Sequence, residues 1–511
     1  LWLAYGLRGW LIQRRNPGAP HFLRWLRGLG LTGLVGVVLS APLWLPLLEY
    51  IPLTTRAVMT ATERIGISLP PANLLGLFVP SMGSYAEWEL YAGALPWLLL
   101  IFTLAVPALR RQAWFWLVVL AASLLAAFGE AIPGYTALSS LPGFSLLRVP
   151  TRSLFVCGMA FAAVTGFALE YLLQNKVEQK PEPVFFMVPF TAFPLLIAGG
   201  MIFYLGGYSL PFLWGGIAML VGLFAILALE KRWLPVGTGL AVLVLVMVFE
   251  MIGTDASSIS LKKPAEVLDR DAELLARIVP KAGDHYRIYS PSFSLSQSVT
   301  AHSGVELVEG IDPMQLKSYV AWFGQASGVP VNGYSVTMPP LENGEPLLDN
   351  AGYTPDASLL GLLNTKYVLA AFPLRANDLE WIDQAAGVQI YENLAYRERA
   401  WVENGDGEIG VATILEYQAN RVVLSAVGPG TLVLSDVYYP GWQAQVDGET
   451  VAIQPYQNLL RSVVLGPGEH QVVFTFRPVL VSIGWGCGLA GWLLILALAI
   501  KQRRVSRNVR Q

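Results

Sequence analysis

Long apolar runs fill the chain up to about residue 252, short alternating segments follow to about 477, and one more apolar run closes it. About 20 apolar residues are needed to cross a hydrocarbon core. The runs interrupted by charges or by Pro and Gly therefore predict spans at 1–12 (a truncated helix), 28–50, 91–109, 113–130, 152–174, 184–206, 208–229, 233–252 and 478–500. Trp and Tyr sit near many of their ends, among them Trp25, Tyr50, Tyr91, Trp97, Trp114, Tyr171 and Trp233, where rings prefer the membrane interface. The expected fold class is thus a multi-pass α-helical membrane bundle of about nine spans, eight within 1–252 and the last at 478–500, with a non-membrane insertion before that final helix and a basic tail, 501–511.

The insertion has two textures. Over 253–400, the amphipathic stretch from Lys263 to Val279 predicts a helix, and Tyr286-Arg287-Ile288-Tyr289, Thr365 to Leu369 and Val388 to Asn393 alternate like strands, which makes an α+β region. Over 401–477 the alternation predicts only strands, at 409–416, 419–426, 430–438, 442–447, 449–454, 459–465 and 470–476. Asp447-Gly448 carries the type I′ hairpin signal, and Gly466-Pro467-Gly468 reads as a second turn. Short strands at regular spacing suggest a small β-sandwich.

Charge sharpens this division. The chain carries only 14% charged residues and a mean hydropathy of +0.50, against about 25% charged in a soluble domain. No Asp occurs before Asp255, whereas 253–477 holds 26 acidic and 14 basic residues, a net of −12. Such a chain is not an ordinary cytosolic enzyme, and without a basic face no nucleic-acid partner is expected. Two cysteines exclude a disulfide scaffold. Alternate inter-span loops and the tail hold 15 basic residues, and the opposite short loops hold four, Arg56, Arg64, Arg148 and Arg152. The positive-inside rule then predicts a plasma-membrane protein with 253–477 extracytoplasmic and the C-terminus cytoplasmic.

Two outer loops carry the candidate chemistry. Residues 51–90 are too long for a connector and too polar to span, and long structured loops are usually functional. Their short apolar stretch from Asn73 to Val79 allows only one or two helical turns. The second loop, 131–152, ends in Leu147-Arg148-Val149-Pro150-Thr151-Arg152. Arg148 and Arg152 either snorkel to headgroups or form an anion site, because a guanidinium fork suits phosphate. Glu63, Glu87 and Glu89 are either solvated loop charges or acid/base or metal-ligating groups beside that phosphate; a divalent metal is the one cofactor held open. Glu49, Glu130 and Glu250 are expected to be solvated at outer helix ends. Tyr439 and Trp442 either stack on a sugar or pack the sandwich around Pro440-Gly441. Asp436 and Glu309 stand at no spacing that defines a catalytic pair.

Several of these segments resemble one family. Leu434 to Trp442, Val446-Asp447-Gly448, Gly466 to His470 and Phe476-Arg477-Pro478, with Leu362 to Leu369 and Tyr391-Glu392-Asn393 upstream, are similar to the C-terminal part of the bacterial YfhO-family membrane proteins. Arg148 to Arg152 and Leu69 to Leu75 resemble motifs of that family's membrane part. The likeness spreads from about residue 41 to 500. It implies a GT-C-type glycosyltransferase, a hexosyltransferase that takes a sugar from a polyprenyl-phosphate carrier and passes it to a cell-envelope glycan or lipid acceptor, as in lipoteichoic acid glycosylation. The resemblance implies an acidic residue, usually Asp, in the first outer loop after the first helix. The membrane part has no Asp, so that carboxylate is expected to precede Leu1, in sequence missing from an N-terminally truncated chain. The alternatives are a non-catalytic scaffold or glycan-binding protein, and a lipid or glycan transporter, which the scarcity of mid-membrane ionisable residues disfavours.

Overall fold

A computed structural model describes residues 22–77, 86–141, 148–173, 210–231, 233–255, 261–279 and 283–508, with four positions between 6 and 11. The chain divides into two compact units, one formed by 1–19 and 60–261, the other by 20–59 and 262–511. The expected boundary near 253 lies close to the observed division, but residues 20–59 belong with the C-terminal unit.

The first unit is helical. Ala94–Ala105, Pro107–Ala127, Leu154–Leu173, Leu210–Glu230 and Val236–Asp255 form its described long helices. Leu95, Leu98, Leu99 and Phe102 are essentially fully buried against Ala168, Leu172, Ala218, Ile226 and Leu243. The expected span 91–109 is corrected: its helix is only 12 residues, Ala94–Ala105, or about 18 Å, too short for a ~30 Å core. Pro107 forces the break, since the residue before proline is pushed out of the α region, and Val106 is extended at φ −92° and ψ 109°.

Glu250 corrects a second expectation. It is 1% exposed rather than solvated. Its carboxylate accepts hydrogen bonds from the Ala94 N–H at 2.8 and 3.0 Å and from the Tyr91 hydroxyl. The first residues of a helix carry unpaired N–H groups and a partial positive charge, so a buried carboxylate there is compensated. Gly93, at φ +94°, lets the chain pass close by: a Cβ would lie 3.4 Å from Glu250 Oε2.

Among the described residues, four helices are long and apolar enough to cross a membrane: Pro107–Ala127, Pro150–Leu173, Val236–Gly253 and Val479–Lys501. A fifth is reached if Trp25–Leu39 and Ala41–Leu53, bent by 65°, count as one. That is fewer than the nine expected; the expected span 184–206 and most of 1–12 lie outside the described residues.

In the second unit, the Ala41–Tyr50 helix packs on the final helix, Val479–Asn508. Glycines allow the approach: a Cβ on Gly484 would meet Ala41 O and Pro42 Cα at 2.9 Å, and Gly488 and Gly491 are similarly crowded by Pro42, Val38 and Leu39. Small residues at this spacing let helix backbones come close. The Tyr50 hydroxyl donates to Met314 O at 2.7 Å, and Thr55 N to Gln315 O at 2.9 Å.

Among the described residues, the rest of this unit holds three sheets. The strands are β1 (Arg287–Tyr289), β2 (Glu306–Leu307), β3 (Gly310–Ile311), β4 (Thr337–Met338), β5 (Thr365–Ala370), β6 (Leu379–Ala385), β7 (Val388–Asn393), β8 (Ala400–Glu403), β9 (Ile409–Gln418), β10 (Arg421–Val437), β11 (Trp442–Val446), β12 (Glu449–Val451), β13 (Gln454–Tyr456) and β14 (Leu460–Phe476). The first sheet runs β2-β1-β5-β7-β6, with β1 parallel to β2 and β5 and the other pairs antiparallel; β3 and β4 form a two-stranded ribbon. The third is a seven-stranded antiparallel sheet, β12-β11-β14-β10-β8-β9, with β13 added to β14.

The strands expected as a small β-sandwich are hydrogen-bonded into this one sheet. The expected strands 419–426 and 430–438 are halves of β10, and 459–465 and 470–476 are halves of β14. The supposed turn Gly466-Pro467-Gly468 is a bend that faces Gly428-Pro429-Gly430 on the partner strand, with Gly428 opposite Gly468 and Gly430 opposite Leu465. Glycine is required here: a Cβ on Gly428 would lie 2.1 Å from Gly466 O. Prolines cannot donate to the ladder and mark bulges, so two opposed proline motifs bend both strands together. Val422, Leu424, Leu432, Leu434, Val463, Leu465, Val472 and Phe474, from both halves, share one core. Asp447-Gly448 does form the expected hairpin turn between β11 and β12, both residues at positive φ.

The regions 253–400 and 401–477 are not separate bodies. Tyr289, Phe323, Leu360 and Tyr391 of the first pack with Trp401, Val433 and Leu460 of the second in one buried cluster.

Candidate functional site

In the helical unit, the loop that carries Arg148 and Arg152 is clamped by the loop around residue 65. A capping box starts the short helix Ala61–Ile65: Thr60 N and Oγ1 donate to Glu63 Oε2 at 2.6 and 2.8 Å, and Glu63 N donates to Thr60 Oγ1 at 3.3 Å. Val149 N donates to Arg64 O at 3.0 Å, and Thr151 Oγ1 to Ile67 O at 3.2 Å. Ser68 Oγ accepts from Glu130 N at 2.9 Å. Gly129, at φ +45°, leaves room for this crossing, since its Cβ would lie 2.2 Å from Ser68 Oγ and 2.7 Å from Pro150 Cγ.

Val149 itself sits at φ +60°. A β-branched residue there is a true outlier, which costs on the order of 1–3 kcal/mol and persists only where surroundings over-determine it. The strained residue lies between the two candidate arginines' turns, followed at once by Pro150, which opens the 3-10 turn Pro150–Ser153 and then the helix Leu154–Leu173.

The result is a cavity of about 280 Å³ lined by three guanidinium-bearing residues, Arg64, Arg148 and Arg152, with Tyr135, Ser139 and Ser153, its remaining wall being apolar. Arg64 Nη1 is anchored on Ser139 O at 3.1 Å. Arg152 also lines a second cavity of about 790 Å³, with Glu87, Glu89, Thr151 and Phe155. Its Nη2 stands 3.9 Å from Glu87 Oε1, both side chains being substantially exposed; an exposed pair of this kind contributes about 0–1 kcal/mol. Glu89 Oε1 accepts from Tyr91 N at 3.3 Å.

Arg152 thus lines both cavities, with Arg148 in the first and with Glu87 and Glu89 in the second. Glu63 is not among the lining residues of either cavity; it caps a helix. Arg64 was not singled out from the sequence, although it was one of four arginines against the charge trend, which was the available signal. Among the described residues, no group of three His, Cys, Asp or Glu is placed to hold a metal ion. Chemically, three arginines in the lining of a partly apolar cavity suit a phosphate that carries an apolar tail.

The expected sugar-stacking pair in the second unit is engaged in packing. The Arg461 guanidinium lies 3.7 Å from the centre of the Trp442 ring, and both Trp442 and Tyr439 contact Phe476, with ring centres 5.2 and 6.1 Å away.

Arg461 belongs to a buried charge network that sequence reasoning missed. β10 and β14 pair Leu434 with Arg461 and then Val437 with Leu460, so Ser435 and Asp436 form a bulge. Bulges re-aim side chains, and this one accompanies Asp436 among three arginines: Arg287 Nη2 at 2.9 Å, Arg461 Nη2 at 2.7 Å and Arg399 Nε at 3.4 Å. The Tyr417 hydroxyl lies 3.0 Å from the same carboxylate. Glu306 adds a second negative charge, 2.6 Å from Arg399 and 3.3 Å from Arg287. Burial pushes the Asp436 carboxyl up, but the guanidiniums of Arg399, Arg287 and Arg461 outweigh it and hold the group below the usual carboxylate range. The network ties β1, β2, β9, β10 and β14 to Arg399, the residue just before β8.

Compared with protein-family models, with curated proteins and with solved structures, the chain matches none.

Proposed function

We propose that the chain is a multi-pass membrane protein of the GT-C glycosyltransferase type, similar to the YfhO family, in which Arg64, Arg148 and Arg152 receive the phosphate of a polyprenyl-phosphate-linked sugar. The observation that carries this reading is that three arginines line one cavity whose lining is otherwise largely apolar. Cations at that place stabilise the phosphate as it leaves. A base takes the proton of an acceptor hydroxyl on an envelope glycan or lipid; the oxygen attacks the anomeric carbon, and the carbon–phosphate-oxygen bond breaks. Glu87 and Glu89, which share a cavity wall with Arg152, are the acid/base candidates. In this reading the sugar is handled at the extracytoplasmic face of the plasma membrane, with 253–477 on the same side.

The test is transfer of radiolabelled sugar from polyprenyl phosphate by the full chain in nanodiscs, together with donor binding by the Arg148→Ala/Arg152→Ala variant. Each lost charge-assisted contact costs about 1.5–3 kcal/mol, so donor binding is expected to weaken about a hundredfold or more. Unchanged donor binding in the variant defeats the phosphate assignment. A non-catalytic glycan-holding protein is the second reading. The pairing of Arg152 with Glu87 favours it, because it occupies a candidate base with a candidate cation. Donor binding without any transfer would support that reading.

A further inference from the structure

A separate cavity of about 430 Å³ lies in the second unit, between residues 329–335 and 340–353. Its volume falls within the roughly 300–1,000 Å³ typical of small-molecule sites. Its polar wall includes Asn332, Tyr334, Glu342, Asp349, Asn350 and Tyr353, and no Lys, Arg or His is among the lining residues.

That wall is built rather than loose. Asp349 accepts from Asn343 N at 2.9 Å, Asn343 Nδ2 at 3.0 Å and Glu345 N at 3.0 Å. The Tyr334 hydroxyl donates to Pro313 O at 2.8 Å. Asn350 is 1% exposed, and its Nδ2 donates to Pro291 O at 3.0 Å. Fixed side chains of this kind lower the ordering cost of binding.

The chemistry selects a ligand class. With carboxylates and no cation on the wall, an anionic ligand is disfavoured. A metal ion is disfavoured too, since among the described residues no third carboxylate, His or Cys joins the two acidic groups, and Asp349 already accepts three hydrogen bonds. Carboxylate and amide oxygens accept hydroxyl protons, amide N–H groups donate to hydroxyl oxygens, and the two phenol rings offer apolar faces with polar tips. A neutral polyol with an apolar C–H face meets all three.

We propose that this cavity is a binding site for a neutral saccharide, distinct from the arginine-lined cavity and independent of whether the chain transfers sugar. The probes are maltose and lactose at millimolar concentration, with glucose 6-phosphate as the anionic control, read by saturation-transfer NMR on the full chain in nanodiscs. At least one disaccharide is expected to receive saturation while glucose 6-phosphate does not. Glu342→Gln, at an exposed wall position, or Tyr353→Ala is expected to weaken the signal at least tenfold without moving the melting temperature. Arg148→Ala/Arg152→Ala is expected to leave it unchanged. No transfer to either disaccharide, a signal that survives both wall substitutions, or preference for the phosphate would overturn the site. If sugar transfer fails while this binding persists, the proposed enzymatic function falls and the saccharide site stands.

Discussion

Asp436→Asn is expected to lower the melting temperature of the full chain by about 10 °C. Removing one partner of a buried ion pair costs about 3–5 kcal/mol because the remaining charge stays buried, and 1 kcal/mol shifts a body of 150–250 residues by about 2–4 °C. Here the loss is shared by Arg287 and Arg399, which keep Glu306 as a carboxylate partner, and by Arg461, whose ion pair is with Asp436. The cost is heaviest at Arg461, whose Nε and Nη1 are already buried without an acceptor. Replacing Arg461 with Met in the Asp436→Asn background should therefore recover part of the stability, since an apolar side chain of similar length removes the orphaned charge. A shift below about 2 °C for Asp436→Asn, or no recovery in the double variant, would show that the network does not hold the unit together. The pH sign follows from the lowered carboxyl. Its contribution is fully present above the ordinary value of 3.8 and is lost as pH falls through the lower folded value, so the stabilising effect should fade only in strong acid.

Glu309→Gln is expected to act in the opposite direction and at the other end of the pH range. Glu309 is 6% exposed, and neither carboxylate oxygen has a donor in hydrogen-bond geometry. Burial pushes its carboxyl up to about 8; the nearby N–H groups of Glu309 itself and Ser290 offset only part of that cost. The fully buried phenol of Tyr289 also faces this group electrostatically. The side chain is therefore protonated in the folded protein at neutral pH, while the unfolded chain ionises from about 4.5. Across that window the unfolded state holds fewer protons, so folding stability falls as pH rises from about 4.5 to about 8 and levels off above. Gln mimics the neutral acid. The variant should match the parent near pH 4 and exceed it at pH 9 by on the order of 4 kcal/mol, seen as a flattened dependence of melting temperature on pH. Parallel curves for the two proteins would sink this account.

Much of the architecture was legible in the chain. Local periodicity separates helices from strands because each has its own spacing of apolar positions; the hairpin at Asp447-Gly448 is read directly from short-range sterics. The charge break falls near 253, and the two compact units divide near 261 and again at 59. Arg148 and Arg152 were visible as charges against the trend. The network around Asp436 was not, because its members come from four distant segments and each looks unremarkable alone. The available hint was local: Leu459-Leu460-Arg461-Ser462-Val463 and Leu434-Ser435-Asp436-Val437 each place a charge inside a near-continuous apolar strand, where charge is tolerated only if paired.

Two further features needed the folded chain. Gly-Pro-Gly at 466–468 has the local signature of a turn, and only its alignment with 428–430 across the β10–β14 pair makes it a shared bend. The run 28–50 has the composition of a membrane span, yet its second half packs against the final helix, more than 400 residues away, through Gly484 and Gly488. Element type and charge distribution were thus determined by the sequence alone, because they depend on neighbours within a few residues. Which arginines share a cavity, which carboxylates are buried, and which helix belongs to which unit were decided by tertiary packing, because those energies arise between residues that the chain itself keeps far apart.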